Sequence, residues 1–404
     1  KAATLEKLIE RLTAVKDQVG KYLQIFFITY RSFCSPAELM SKLAMRFMKM
    51  KQVSDASKDS IDTAATLRLL NAIKHWINEH FYDFDNALVV TMVHFISKFV
   101  SIDYYKAAIP LKKRIEQALV NGITAASQSN VVSYDLDKAP QPEVPLDRKP
   151  IQSLDEFIAC PPQEIARQIS LIDHQIFKQI TPKECFKCAW SKADKEKNSP
   201  NIVALSNRFN SVSSWVATMI VQQENPKKRA NMLKLWIQIA EHCRVLNNFN
   251  TMNSIIAGLN LSAVHRLEKT WRELHKKYKA MFDNMGELTS TSGSYKNMRE
   301  AMAKTAPPVV PYIGINLTDL TFLEDGNPDY IKVMKDNEEI KLINFAKRRK
   351  IAGVIMMNIR IYQTNIYNYR VVPALRDYLT RMDNVMEEKE MYNQSLKIEP
   401  REQS

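Results

Sequence analysis

The residues best able to do chemistry are few, and their spacing does not suit it. Cys185 and Cys188 form a C-x-x-C, the spacing of half a zinc site or of a thioredoxin-type redox pair. Zinc needs four ligands, and no second pair stands at a standard distance along the chain. The two are expected to be buried helical thiols. His75 and His80 are five apart and lack the H-E-x-x-H order that sets two imidazoles on one helix face. No G-x-S-x-G elbow occurs, and the carboxylates are spread as solvated helix faces rather than set as a pair among apolar residues. The eight glycines, at 20, 122, 258, 286, 293, 314, 326 and 353, never take the spacing of a phosphate-cradling loop. Covalent, acid–base, metal and nucleotide-holding chemistry therefore have no candidate residues. No metal and no cofactor are expected.

The formal net charge of +13 leaves nucleic acid, an anionic membrane surface and an acidic protein open as partners. Three clusters carry much of it: Lys227-Lys228-Arg229, Lys347-Arg348-Arg349-Lys350 and Leu274-His275-Lys276-Lys277-Tyr278-Lys279. The first two lack the interleaved aromatics of a nucleic-acid module, so a solvated face is the first reading, peripheral membrane contact the second and nucleic acid the last, and the third is expected to be similarly exposed. Five cysteines, an odd number spread over a long chain, fit a reducing, cytoplasmic setting. The longest apolar runs, such as 351–357, fall far below the roughly 18 residues that span a bilayer. The chain begins at Lys1 and is helix-like from Leu5, which reads as a fragment without a targeting segment.

The elements that position these residues are expected to be helices. Glycine scarcity and long stretches of Leu, Ile, Ala, Lys and Glu favour helix over tight-turned sheet. Leu5, Leu8, Ile9 and Leu12 recur at i, i+3, i+4 and i+7, and Ser35-Pro36-Ala37-Glu38 is a capping box with proline at the first helical position. Further helices are predicted over 60–80 and 86–101. Periodicity then dissolves into Ser, Asn, Asp and Pro over 127–150, a linker. The resulting expectation is an all-α chain with an N-terminal bundle at 1–125, a linker at 126–150 and a larger helical domain at 151–400. Helical segments are expected to restart near Pro162, Pro182, Pro200, Pro226 and Pro328. The turn Glu324-Asp325-Gly326-Asn327-Pro328 is expected to join a helix beginning near Tyr312 to a long helix over 337–362, a protruding helical hairpin with a carboxylate tip.

Several ordered motifs resemble those of the Ras-type guanine-nucleotide exchange factors, of the Son of Sevenless kind. Thr4-Leu5-Glu6-Lys7-Leu8-Ile9-Glu10-Arg11-Leu12 and Phe27-Ile28-Thr29-Tyr30-Arg31-Ser32-Phe33 are similar to the Ras exchanger motif domain. Ile165-Ala166-Arg167-Gln168, the segment 190–201, Asn247-Asn248-Phe249-Asn250, Arg266-Leu267-Glu268, Gly326-Asn327-Pro328 and Ile343-Asn344-Phe345 are similar to the catalytic domain.

The resemblance implies catalysis without covalent chemistry: the domain binds a small GTPase, opens switch I and the magnesium and phosphate site with its hairpin, and stabilises the nucleotide-free state. It assigns Tyr312, Thr321, Phe322, Glu324, Asp325 and Asn327 to the catalytic hairpin, with Tyr312 receiving a switch II tyrosine. Asn207, Asn210, Met252, Ala257 and Asn260 fall on GTPase-binding surfaces. Asn198, Pro200, Asn248, Phe249, Arg266 and Glu268 fall in structural support, with Arg266 and Glu268 expected as a bracing pair. Asp325 stands where the family usually has Glu, Thr321 where Son of Sevenless is apolar, and Asn207 where it is basic. The departures at Thr321 and Asp325 motivate the alternative of a catalytically weak GTPase-binding scaffold, and that at Asn207 points to a different choice of partner. A second, allosteric GTPase at the N-terminal bundle, as in some relatives, and recruitment to a membrane surface are further implications.

Overall fold

Helix dominates for the reasons that composition suggests, and the caps lie where the sequence puts them. The computed structural model describes residues 2–14, 19–57, 60–101, 104–121 and 135–401, so the first part of the expected linker lies outside the described residues. The chain forms two units, one of Lys1–Val131 with Phe186–Cys188 and Leu320–Ile355, the other of Val132–Cys185, Ala189–Asp319 and Met356–Ser404.

In the first unit, α1 (Leu5–Leu12), α2 (Val19–Thr29), α3 (Pro36–Ser57), α4 (Ser60–Glu79), α5 (Asn86–Phe95) and α6 (Tyr105–Asn121) form the N-terminal bundle. α1 buries Leu5, Leu8, Ile9 and Leu12, the stripe its spacing predicts. The Glu38 N–H donates to Ser35 Oγ at 3.1 Å, capping α3 behind Pro36. Between these helices Phe27, Tyr30, Trp76 and Phe84 form one aromatic core, with Trp76 and Phe84 ring centres 4.8 Å apart. Tyr30 donates to Asp83 and accepts from Trp76 Nε1 at 3.2 Å, so the two polar tips inside that core are satisfied.

The second unit is built on α7 (Pro162–Phe177), α8 (Pro200–Val221), α9 (Pro226–Val245) and α10 (Phe249–Leu259). Residues of α10 are almost all buried, because α8 and α9 pack on it from two sides. Gly258 makes the α8 contact: a Cβ there would stand 2.5 Å from the Ser213 carbonyl oxygen. Around this core lie α11 (Lys276–Thr289) and α12 (Ser292–Lys304), and later α15 (Pro373–Arg381) and α16 (Glu388–Ile398). The described end of the linker is tied down here: the Asp135 carbonyl accepts from Asn368 at 2.8 Å and the Leu136 carbonyl from Arg370 at 3.1 Å.

One expectation is corrected. α13 (Ile313–Asp325) is followed not by a turn and a helix from 337, but by an antiparallel ribbon, β1 (Tyr330–Lys335) and β2 (Glu338–Ile343). Only then does α14 (Phe345–Val354) begin, continued by a π-helical segment, Ile355–Arg360. Asp336 and Asn337 take φ of +50° and +66°, the left-handed pair that closes a two-residue hairpin. The pairing sets Ile331 opposite Leu342 and Val333 opposite Ile340. No helix restarts at Pro328 as a result. Among the described residues no helix is long and apolar enough to cross a membrane.

Candidate functional site

The Asn clusters of the sequence serve the second unit in two ways. Asn248 is fully buried: its Oδ1 caps α10 by accepting from the Thr251 N–H at 3.0 Å, and its Nδ2 donates to Ser170 at 3.2 Å and Asp173 at 3.4 Å. Asp173 also pairs with Arg208 at 2.5 Å, so one buried carboxylate ties α7, α8 and α10 together. The neighbouring Phe249 is buried, and its N–H donates to the Val310 carbonyl at 2.9 Å. Asn198 is exposed and bonds Asp194, while Pro200 opens α8. The cap of α8 comes instead from Glu184, whose Oε2 accepts from the N–H groups of Asn201 at 2.8 Å and Ile202 at 3.2 Å.

A surface gathers at α8 and α10. Asn207 and Asn210 are exposed three apart on α8, so they share a face. On α10, Ala257 is half-buried and Asn260 exposed, and Gly258 beside them packs on Ser213, one turn from Asn210. Next to Asn210, Phe209 meets the Tyr312 ring at 5.4 Å, and Tyr295 meets the same ring at 5.8 Å. Burial, with the Tyr295 hydroxyl nearby, pushes the Tyr312 phenol up to about 12, so it stays a neutral donor. Gly314 makes room for that ring: a Cβ there would lie 2.5 Å from Tyr312 Cζ. Asp319, lower on α13, is held by both Nη atoms of Arg299 at 2.7 Å.

In the first unit the end of α13 is clamped. Glu324 takes an ion pair from Lys347 Nζ at 2.6 Å and a hydrogen bond from the Lys187 N–H at 2.7 Å, with its side chain only 6% exposed. Lys347 also pairs with Asp329 at 2.9 Å, where Arg348 arrives at 2.8 Å. Burial works against ionisation of Asp329, yet its bonds to Lys347 and Arg348 hold its carboxyl below the usual range. Asn327 donates to the Leu323 carbonyl at 3.0 Å and accepts from Lys350 Nζ at 3.4 Å. Cys188, at φ +51°, donates its thiol to Thr321 Oγ1 at 3.8 Å. Outside this clamp Phe322 is 72% exposed and Asp325 is exposed beside it. The second arm rests on the bundle: Tyr22 of α2 meets Phe345 at 5.2 Å, and Ala3 pairs with Ile343 across the backbone.

Comparison with known proteins decides what this assembly is. Residues 164–349 match the RasGEF domain and residues 1–99 the RasGEF N-terminal motif. The chain belongs to the RasGEF family. Ras guanine nucleotide exchange factor A of Dictyostelium discoideum is 33% identical over 99% of this chain and 65% of its own length. Ras guanine nucleotide exchange factor J of the same organism is 35% identical over 99% of this chain and 48% of its own. Ras-specific guanine nucleotide-releasing factor 1 of Rattus norvegicus is 33% identical over 84% of this chain and 26% of its own. The chain thus spans between a quarter and two thirds of these relatives.

Within this RasGEF chain, four residues stand differently from the sequence reading. Met252 is wholly buried in α10 and packs the core instead of offering a contact surface. Glu324 is occupied by Lys347, while Asp325 is exposed and enters no ion pair among the described residues. Arg266 is not paired with Glu268: its Nη1 donates to the Ser395 carbonyl at 2.7 Å, bracing α16, while exposed Glu268 pairs with Arg272 one turn on. The C-x-x-C also divides, Cys185 being buried and Cys188 half-buried at a left-handed turn outside any helix. Sequence reading missed Lys347, Asp329, Glu184 and the Lys187 N–H. The signal for Lys347 was a lysine two residues after Phe345 at a helix start, where a cation opposes the helix dipole unless a carboxylate meets it.

Proposed function

We propose that the chain is a guanine-nucleotide exchange factor for a Ras-family small GTPase, promoting GDP release and GTP loading without covalent chemistry or a cofactor. In this reading residues 1–125 form the exchanger-motif domain and 151–400 the catalytic domain. Asn207, Asn210, Ala257 and Asn260 receive switch II beside Tyr312. Thr321, Phe322, Asp325 and Asn327 open switch I and the magnesium and phosphate site. Glu324 positions that helix rather than touching the partner.

The observation that carries the proposal is Phe322. A phenyl ring 72% exposed beside an exposed carboxylate, on a helix end clamped by a buried ion pair, is held out to solvent and meets no other ring among the described residues. Presented to a GTPase, it fills space that nucleotide and magnesium would otherwise hold. If the partner binds nucleotide at picomolar affinity, about 16 kcal/mol opposes release, so the exchanger must offer a large interface that is complementary to the nucleotide-free state. A domain with no reactive residues fits that task.

The test is release of a fluorescent nucleotide from Ras-type and Rap-type GTPases. Acceleration with at least one is the expected result, and none with any of them refutes the proposal. A second reading, a GTPase-binding scaffold with weak exchange, draws on Thr321, whose hydroxyl faces the Cys188 thiol in place of an apolar side chain. It expects binding without exchange in the native chain and faster exchange in Thr321→Leu with Asp325→Glu. Adding GTP-loaded GTPase to the same assay reads out a second, allosteric site at the N-terminal bundle. A cytoplasmic setting with recruitment to a membrane surface accompanies the exchange-factor reading.

A further inference from the structure

Two of the three basic clusters of the sequence lose charge to the interior. Arg229 is fully buried against Glu399 at 2.8 Å, and Lys347 and Arg348 are buried against Glu324 and Asp329. The third cluster stays outside and gains a neighbour. Lys234 of α9 and Lys277 of α11 stand over the Tyr278 ring, their Nζ atoms 5.2 Å and 5.8 Å from its centre. Lys276 precedes them, exposed, and exposed Lys227 lies two turns before Lys234 on the same face of α9. None of these four lysines enters an ion pair among the described residues. The acids near them are Glu224, Glu273 and Asp283, with Glu241 paired to Arg244, and they are outnumbered by the lysines once exposed Lys228 and Lys279 are counted. The first turn of α11 holds no acid either, so its lysines add to the positive end of the helix.

The chemistry of this patch is that of a diffuse cation field. It holds no free arginine fork for bidentate capture of one phosphate or base. Its rings are few: Tyr278 is half-buried with two ammonium groups over it and His275 meets it edge-on at 6.4 Å, so the patch presents no row of aromatic faces on which successive bases could stack. A continuous anionic surface is the partner such a field fits, each lysine contributing a roughly equal and additive attraction. We infer that the α9–α11 face docks on an anionic lipid bilayer. This rests on the membrane recruitment included in the proposed function and names the surface for it, while its test is independent of exchange.

Co-sedimentation with phosphatidylcholine vesicles, with and without phosphatidylserine, tests it. Binding is expected only with phosphatidylserine, and raising the salt is expected to release the protein. Lys234→Gln with Lys276→Gln and Lys277→Gln is expected to weaken binding by roughly 100-fold, about 5-fold per lysine. The same three positions as arginine should retain it, and thermal unfolding should stay cooperative and near native, since only the contacts of Lys234 and Lys277 with the Tyr278 ring are lost. No binding to phosphatidylserine vesicles at low salt, or equal binding by the glutamine variant, overturns the inference. So does salt-sensitive retention of single-stranded RNA in place of vesicles. Exchange on a GTPase in solution should be the same for native chain and variant, so failure here leaves the proposed exchange activity standing.

Discussion

Lys347 is the buried cation on which the helix–ribbon–helix segment closes, and its removal gives the sharpest test of that geometry. Its side chain is 3% exposed, pairs with Glu324 at 2.6 Å and Asp329 at 2.9 Å, and donates to the Glu324 carbonyl at 3.0 Å. Lys347→Met keeps the methylene stem and deletes the charge. Removing one partner of a buried pair costs about 3–5 kcal/mol, because the other charge stays buried without compensation. The lower end applies here: Asp329 keeps Arg348 at 2.8 Å and is one-third exposed, and Glu324 keeps the Lys187 N–H at 2.7 Å. A cost of about 3 kcal/mol raises local opening by roughly 100-fold, which amide hydrogen exchange over residues 320–355 would register. Glu324→Gln in the same chain leaves no stranded carboxylate, so the double variant should recover much of the protection, with a coupling above about 1.5 kcal/mol. Native exchange rates in Lys347→Met, or equal loosening in single and double variants, would refute the idea that charge closes the clamp.

Phe322→Ala should leave thermal stability within about 0.5 kcal/mol of native, since the ring is mostly in solvent, while nucleotide release falls at least tenfold. A full rate in that variant removes the main support for the proposed function. Gly258→Ala should destabilise by about 1–3 kcal/mol in chemical unfolding, because its Cβ would press on the Ser213 carbonyl and on Val216. Gly20→Ala, with nothing within 4 Å, serves as the tolerated control. His174 is neutral in the fold, its pKa lowered to about 4 chiefly by burial and further by Lys178. Its stabilisation is complete above an unfolded pKa near 6.5 and is lost as pH falls through 4, about 3 kcal/mol in all. His174→Gln should flatten that part of the stability-versus-pH curve, and an unchanged slope would show that other groups carry it.

How far the sequence was legible depends on whether a residue's signal was local. The stripe Leu5, Leu8, Ile9 and Leu12 and the cap at Ser35 are written in neighbouring residues, and both elements stand where they were expected. The ribbon was hidden because Ile340 and Ile343 are three apart and Ile351 follows at helical spacing. That periodicity outweighed the Asp336–Asn337 turn and the alternation of Ile331 with Val333. Burial was legible only on average. Nothing adjacent to Met252 distinguishes a contact residue from a core one, and its position on α10 between α8 and α9 decides the matter. The charge clusters divided for the same reason, since a lysine's fate depends on a carboxylate that can stand 23 positions away, as Glu324 does from Lys347.

That pairing also fixes which residues of α13 face outward. Successive helical positions are about 100° apart, so the adjacent acids Glu324 and Asp325 cannot both reach Lys347. With Glu324 turned inward, Thr321, three residues before it, shares its side and meets Cys188. Phe322 and Asp325, again three apart, share the exposed side. The side chain that faces Cys188 and the one that meets solvent are therefore set by a single ion pair, and a change at Thr321 cannot act on a partner without also acting on the turn at Lys187 and Cys188. In Thr321→Leu with Asp325→Glu the two substitutions work from different sides of the helix. Their effects on exchange should accordingly separate: Asp325→Glu alone changes the rate with stability unmoved, whereas Thr321→Leu alone shifts both. Equal stability in the two single variants would mean that the inward face of α13 is not held against that turn.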